Sequence, residues 1–300
     1  RTMAEGIASF LSPEQLCKLG RLLFMSRYVV EGNLAGAHRS PRKGSSSEFA
    51  DHKAYMVGDD PKHIDWKVFG RTDRYYIKRY QDETNLRVYL IVDRSASMAF
   101  GSEATTKYQY ACQLAAAIGY VIVKVRDSVG LFMYSEKVDL QMEAANSFLH
   151  LNNILKQMQN IRPSAKTETA KNLHEIAESI NRRAMVVILS DLFEDTSAVS
   201  LALAHFRKMH HDVVVFHVLD PKEIDFNFKK GAQFEDMETM ETIVADPRAL
   251  AEDYQKVFGE FLERNRKMCA AMNVDYRICR TDQNMETFVR AYLEERRRCS

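Results

Sequence analysis

From Val88 to Val92 the chain runs without a polar side chain apart from the Tyr89 hydroxyl. That is the pattern of a strand buried on both faces, and hence of a central strand in a parallel sheet. The run stops at Asp93, and Ser95 and Ser97 follow at alternate positions before Gly101. Beyond it, strand and helix patterns alternate. Helical spacing predicts helices over residues 105–125, 145–160, 169–182, 197–209, 247–272 and from about 285 onward. Apolar runs predict strands at 129–134, extended toward an edge by 136–138, and at 185–189, 213–219 and 274–278. Met185 to Leu189 is a second fully apolar run and ends in Ser190-Asp191. Residues 226–245 read as a polar β excursion. This alternation implies βαβ units and an α/β fold with a doubly wound, mostly parallel sheet.

Upstream of the central strand the pattern is shorter and more broken. Residues 12–31 predict a helix: Ser12 is placed to cap it, Pro13 takes its first position and Gln15 its third, and Leu16, Leu19, Leu22 and Leu23 recur at helical spacing. From Gly32 to Glu48 the chain is loop-like, with His38, Arg39, Arg42 and Lys43 close together. Without interleaved aromatics that cluster reads as a solvated loop rather than a phosphate contact. Gly58-Asp59-Asp60-Pro61 marks a turn, and Ile64-Asp65-Trp66 carries the only tryptophan. Asp59, Asp60 and Asp65 are expected to act as caps and turn formers that anchor Trp66 in a small core, not as a second metal site. Tyr75 to Tyr80 predicts a strand leading into the central one. The division expected is an N-terminal helical and β-containing extension over 1–84 and an α/β domain over 85–300.

Composition narrows the functional classes. The chain has 300 residues, 46% of them hydrophobic, enough for a large core. Its 42 basic and 41 acidic side chains leave a net charge of +1, which gives no global attraction for nucleic acid or an anionic membrane. The five cysteines (Cys17, Cys112, Cys269, Cys279, Cys299) are scattered with no Cys-x-x-Cys, which argues for a reducing compartment and against a disulfide frame or a structural zinc site. The longest apolar stretch, Leu114 to Val123, is too short to span a bilayer, and no signal-peptide pattern is found, so a soluble, cytoplasmic protein is expected.

Three strand ends carry oxygen ligands: Asp93, Ser95 and Ser97 after the first buried strand, Thr167 in the loop Lys166-Thr167-Glu168-Thr169, and Asp191 after the second. The carboxyl ends of parallel strands are where open α/β sheets bind ligands. Hard oxygens gathered there suit magnesium, with manganese or calcium as substitutes. Two carboxylates and three neutral hydroxyls under-neutralise such an ion, so an Asp or Glu from a partner can complete its shell. Water activation would need a general base, and Glu168 and Asp195 are the nearby acids the sequence offers. His174 falls inside a predicted helix, where a surface or satisfied core role is expected.

These residues resemble the metal-ion-dependent adhesion site of von Willebrand factor A-type domains, in which Asp93-x-Ser95-x-Ser97, Thr167 and Asp191 match the ion ligands. A closer resemblance is to a bacterial family associated with MoxR-type AAA+ ATPases, the domain of unknown function fifty-eight. It is carried by His38-Arg39-Ser40-Pro41, Gly44-Ser45-Ser46-Ser47-Glu48-Phe49, Gly58-Asp59-Asp60-Pro61, Ile64-Asp65-Trp66, Glu83-Thr84-Asn85-Leu86, Phe234-Glu235-Asp236 and Asp246-Pro247-Arg248. The sequence departs from the pattern at Lys166-Thr167-Glu168-Thr169, which lacks the glycines often found before that threonine. It also lacks the upstream transmembrane helices of many members. The resemblance implies a von Willebrand factor A-like fold and a non-enzymatic, magnesium-dependent binding module that works with a MoxR-type AAA+ ATPase, and with a client protein, in a chaperone-like assembly. The alternative is a magnesium-dependent phosphohydrolase, disfavoured because no second carboxylate follows Asp93 at phosphoaspartyl spacing and no Gly-rich phosphate loop is present. A nucleic-acid-binding role through Arg39, Arg42, Lys43 and Arg296-Arg297-Arg298 conflicts with the near-zero net charge.

Overall fold

A computed structural model of the chain describes residues 10–12, 14–16, 19, 47–56, 61–82, 86–163, 168–228, 233–235, 242–244 and 247–298. Residues 34–85 form one compact unit, and residues 1–33 with 86–300 form another. Among the described residues, no helix is long and apolar enough to cross a membrane.

In the smaller unit, β1 (Ser47–Ala54) pairs antiparallel with β2 (Tyr76–Asp82), with a bulge between Phe49 and Asp51. The strand predicted at Tyr75–Tyr80 therefore finds its partner in a segment the apolar pattern did not mark. Phe49-Ala50-Asp51-His52-Lys53 mixes charged and apolar residues with no clear alternation, and its pairing with β2 makes it a strand. Between the two strands lies α1 (Trp66–Thr72), capped by Asp65, whose Oδ1 accepts from Lys67 N–H (3.0 Å) and Val68 N–H (3.3 Å). The expected capping role of Asp65 is present. The expected burial of Trp66 is not: at 62% exposure it opens α1 on the solvent side, and Phe69 instead stacks on Tyr75 at 4.5 Å. The turn Gly58-Asp59-Asp60 and the basic cluster at 38–43 lie outside the described residues.

The larger unit is a six-stranded sheet flanked by helices. Its strands are β3 (Arg87–Asp93), β4 (Ser128–Tyr134), β5 (Val138–Ala145), β6 (Met185–Ser190), β7 (Asp212–Leu219) and β10 (Asp275–Arg280), in the order β10-β7-β6-β3-β4-β5. All pairs are parallel except β4 with β5, an antiparallel hairpin that forms one edge. A short pair, β8 (Gln233–Glu235) with β9 (Thr242–Val244), lies within the predicted excursion. In register, Val92 of β3 faces Leu189 of β6 on one side and Met133 of β4 on the other. The carboxyl ends of the three strands therefore finish together.

Helices α2 (Lys107–Lys124), α3 (Phe148–Asn160), α4 (Thr169–Ser179), α5 (Thr196–Lys208), α6 (Pro221–Asp225), α7 (Pro247–Ala271) and α8 (Met285–Arg298) make the crossovers and the chain end. Each long connection starts at a capped helix. Thr106 and Gln109 form a reciprocal capping box at α2, Ser147 caps α3 and Asp195 caps α5. Alternate residues of each strand split between two cores. Tyr89, Ile91, Val186 and Ile188 pack with Leu173 of α4 and Leu203 and Phe206 of α5. On the other face Phe216 meets Phe288 and Tyr292 of α8 edge-on, at 5.5 and 5.1 Å.

Two glycines show how tightly α2, α3 and the β4–β5 hairpin are packed. A methyl group at Gly130 would meet Tyr89 ring carbons at 2.6 Å and the Met142 carbonyl at 2.8 Å; at Gly119 of α2 it would press only the end of the Leu151 side chain, also at 2.8 Å. We expect Gly130→Ala to cost about 1–3 kcal/mol because backbone cannot yield. Gly119→Ala should fall within about 1 kcal/mol of the wild type, since the helix propensity gained offsets the contact. Urea unfolding of the two variants measures both.

Candidate metal centre at the strand ends

Asp93 is the last residue of β3 and is 1% exposed. Its Oδ1 accepts from Ser95 N–H at 2.8 Å, which turns the chain sharply out of the strand. Its Oδ2 accepts from Ser190 Oγ at 2.6 Å and from the Tyr134 hydroxyl at 3.3 Å. One carboxylate thus joins the ends of β3, β6 and β4. Ser95 opens a single turn of 3₁₀ helix over Ala96–Ala99 without spending its hydroxyl on the cap. That hydroxyl lies 3.0 Å from Ser97 Oγ, and the buried side chain of Met98 anchors the turn below.

Asp191, one residue past β6, is 2% exposed. Its Oδ2 is 2.7 Å from the ammonium of Lys107, which also lies 2.6 Å from Glu223 Oε1 and beneath the Phe193 ring, 4.8 Å from its centroid. The other oxygen, Oδ1, receives a long bond from Phe193 N–H at 3.4 Å. Leu192 between them adopts a left-handed conformation (φ 50°) that folds the chain back over Asp191. The Asp191 carbonyl accepts from His217 Nε2–H at 2.7 Å, so His217 Nδ1 must accept from Tyr276, 2.5 Å away.

The charges here are unequal. Burial, and then the neighbouring charge of Asp191, push the Asp93 carboxyl up to about 6 against the bonds from Ser190 and Ser95. Among the described residues no ammonium or guanidinium pairs with Asp93. Burial pulls Lys107 down, but Asp191 and Glu223 more than offset it, and it stays charged. Burial pushes His217 down to about 4, so it is a neutral imidazole.

The structure therefore brings together four of the five sequence-predicted ligands: Asp93, Ser95, Ser97 and Asp191. Thr167 lies outside the described residues. The chain immediately after it is fixed at the same sheet end: Glu168 N–H bonds to the Ser135 carbonyl (3.3 Å), Asn172 Nδ2 donates to Ser135 O and Glu168 O (2.8 Å each), and Glu194 Oε2 takes the Ala170 N–H at the start of α4 (2.9 Å). Thr169, 1% exposed, stands within hydrogen-bonding reach of the Tyr134 hydroxyl. Of the acids proposed as bases, Asp195 Oδ2 caps α5 through Ala198 N–H (3.1 Å), and Glu168 is exposed and paired with Lys171. His174 meets His205 of α5, their Nδ1 atoms 3.1 Å apart.

The sequence reading missed Lys107, Glu223 and His217. Two of them leave a trace in the sequence. A lysine in the first turn of a helix opposes the helix dipole and calls for a nearby acid. A histidine inside the otherwise apolar run Val213–Leu219 calls for buried hydrogen-bond partners. Glu223 leaves none, because an acid in the first turn of a short helix already satisfies a local role; its Oε2 takes the Asp220 N–H.

The donor set fits a hard divalent cation. Asp93 and Asp191 would supply the anionic oxygens and Ser95 and Ser97 neutral ones, a mixture that magnesium accepts and soft metals do not. Among the described residues no three His, Cys, Asp or Glu side chains cluster as metal ligands, so such an ion would depend on the hydroxyls. It would supply the positive charge that Asp93 lacks.

The family described as "Protein of unknown function DUF58" matches residues 51–260. An uncharacterized protein of Mycobacterium tuberculosis and its counterpart in Mycobacterium bovis are each 24% identical over 294 residues, covering 95% of this chain and 91% of their own. Among solved structures, an aerotolerance-related membrane protein from Bacteroides fragilis aligns with 72% of this chain and 100% of its own at 14% identity and a TM-score of 0.45. BatB from Bacteroides thetaiotaomicron aligns with 71% and 99% at 14% identity and a TM-score of 0.41.

Buried titrations give the site a pH signature. His217 has a folded pKa of about 4, below its ordinary 6.5, so the stability it contributes is whole above 6.5 and is lost as pH falls toward 4. Asp93 acts in the opposite sense: stability from its protonated form is present below 3.8 and lost as pH rises through about 6. We expect His217→Gln to remove the first contribution, about 3 kcal/mol. Urea unfolding of this variant between pH 7 and 4 should show a shallower loss of stability than the wild type; an unchanged slope would mean that His217 is not buried neutral.

Proposed function

The chain belongs to the DUF58 family of proteins of unknown function, and from that premise we propose that it is a non-enzymatic module that binds an acidic residue of a partner through a divalent cation. The observation that carries the reading is the convergence of Asp93, Ser95, Ser97 and Asp191 at the carboxyl ends of two adjacent central strands, with Asp93 buried and unmatched by any cationic side chain among the described residues. We read the sheet as von Willebrand factor A-like and doubly wound, with Thr167 as the fifth ligand.

Asp93 and Asp191 would hold magnesium with the two serine hydroxyls, and the ion would supply Lewis acidity and positive charge. The protein's part is to keep those oxygens fixed and to leave the outward side to the partner. Two carboxylates neutralise a divalent ion only if neither shares its charge, and Asp191 already shares its own with Lys107. An incoming carboxylate is then favoured. Binding is favoured over hydrolysis because the surrounding acids are committed: Asp195 and Glu194 to helix starts, Glu223 to Lys107. The partner implied by the family resemblance is a MoxR-type AAA+ ATPase, working with this protein in the cytoplasm on a client.

Titration calorimetry with magnesium or manganese should show a site that disappears in Asp93→Ala and equally in Asp93→Asn, which keeps the side-chain shape and an oxygen to accept from its neighbours. Co-purification of a MoxR-type ATPase should require magnesium and be lost with chelator and with Asp93→Ala. Wild-type metal affinity in Asp93→Ala would overturn the reading, and phosphoester turnover that tracks Asp93 would replace it with a hydrolase.

A further inference from the structure

We propose that Lys107 is a built-in counter-cation that keeps the divalent-ion site weak on its own and makes ion and acidic ligand bind as a coupled pair. This rests on the metal-centre reading above and adds what regulates that centre.

The placement of Lys107 is hard to explain as packing. It is a first-turn residue of α2, where the helix dipole disfavours a cation. Its side chain is 0% exposed, although charged side chains are rarely buried so completely. The ammonium has Asp191 Oδ2 at 2.7 Å, Glu223 Oε1 at 2.6 Å and the Phe193 ring over it. So enclosed, its field is poorly screened by solvent ions and reaches the neighbouring oxygens at nearly full strength.

Two consequences follow for a cation held by Asp93 and Asp191. With Oδ2 engaged by Lys107, Asp191 has Oδ1 left for the ion, and its charge is already shared. The ammonium also repels the ion directly. Both effects lower the affinity for the ion alone. The same positive charge attracts a carboxylate, so the ligand gains from Lys107 what the ion loses. The ion alone is then held weakly while the ion-loaded site holds a carboxylate more tightly, so the two are retained together in preference to the bare ion. Glu223 sets the strength of the device, because it draws the ammonium away from Asp191. It sits on α6, whose Glu223 carbonyl takes a hydrogen bond from Tyr254 of α7 (2.9 Å). A purely structural ion pair would behave differently: its loss would loosen the site and weaken both partners.

The test uses the full chain with manganese as the ion and acetate as the carboxylate. Free manganese is followed by electron paramagnetic resonance, and acetate by its displacement of water from bound manganese, read from water-proton relaxation. We expect Lys107→Gln to bind manganese about tenfold more tightly and acetate about tenfold more weakly, within the usual range of coupling between sites. Glu223→Gln, which returns the ammonium to Asp191, should shift manganese the other way, severalfold weaker. If Lys107→Gln weakens both, or changes neither, the proposal is overturned. Should that variant fail to fold on thermal melting, unchanged or tighter manganese binding by Glu223→Gln overturns it instead. Absence of Asp93-dependent manganese binding in the wild type overturns the metal-centre reading and this proposal together. Wild-type binding with an unresponsive Lys107→Gln overturns this proposal alone.

Discussion

A single carboxylate holds the ends of three strands. Asp93 takes the Ser190 hydroxyl from β6, the Tyr134 hydroxyl from β4 and the Ser95 amide from its own turn. Parallel strands could be paired in more than one register by apolar residues alone, since valine and isoleucine pack against one another in many offsets. The hydrogen bonds to Asp93 tolerate only the register that brings Ser190 and Tyr134 level with it. Burying a carboxylate is costly without partners, and three donors recover much of that cost. What remains is a charge with no cation beside it among the described residues, and that imbalance gives the sheet end its chemistry.

Around this point the structure sorts polar groups into two kinds. Some are closed off by neighbours: His217 between Asp191 and Tyr276, and Asp220 beneath Ser102 and the first turn of α6. These set positions and have little left to offer a ligand. Others keep unused oxygen lone pairs, chiefly the hydroxyls of Ser95 and Ser97 with Asp191 Oδ1. Lys107 belongs to neither kind. It is fully enclosed, yet its charge reaches past its partners.

The larger unit was legible because its strands are buried on both faces. Runs such as Val88–Val92 and Met185–Leu189 have no competing helical reading once their lengths and the polar residues that end them are considered, and the intervening helices show clear caps. The coincidence of Asp93 and Asp191 followed from that topology, because two adjacent parallel strands each end in an acid. The smaller unit was less legible. Its first strand alternates irregularly around a bulge, its tryptophan faces solvent, and pairing across some thirty residues of sequence leaves no local mark. Lys107 and Glu223 escaped notice for a related reason: a contact 116 residues apart in sequence has no periodicity to betray it.

Leu192 links the apolar interior to the carboxylates at the strand ends. Its left-handed backbone costs a residue with a Cβ about 1–2 kcal/mol, and glycine, asparagine or aspartate would hold that conformation more cheaply. Yet its side chain is 1% exposed and lies in the same cluster as Leu173, Val199 and Leu203 beneath α4 and α5. Burial of a leucine, about 1.5–3 kcal/mol, outweighs the torsional penalty. The tight reversal that lays Phe193 over Lys107 is thus clamped from below by hydrocarbon. A slackened interface between α4 and α5 would let that reversal unwind, and damage deep in the oily layer would surface as a misplaced ring above the ammonium.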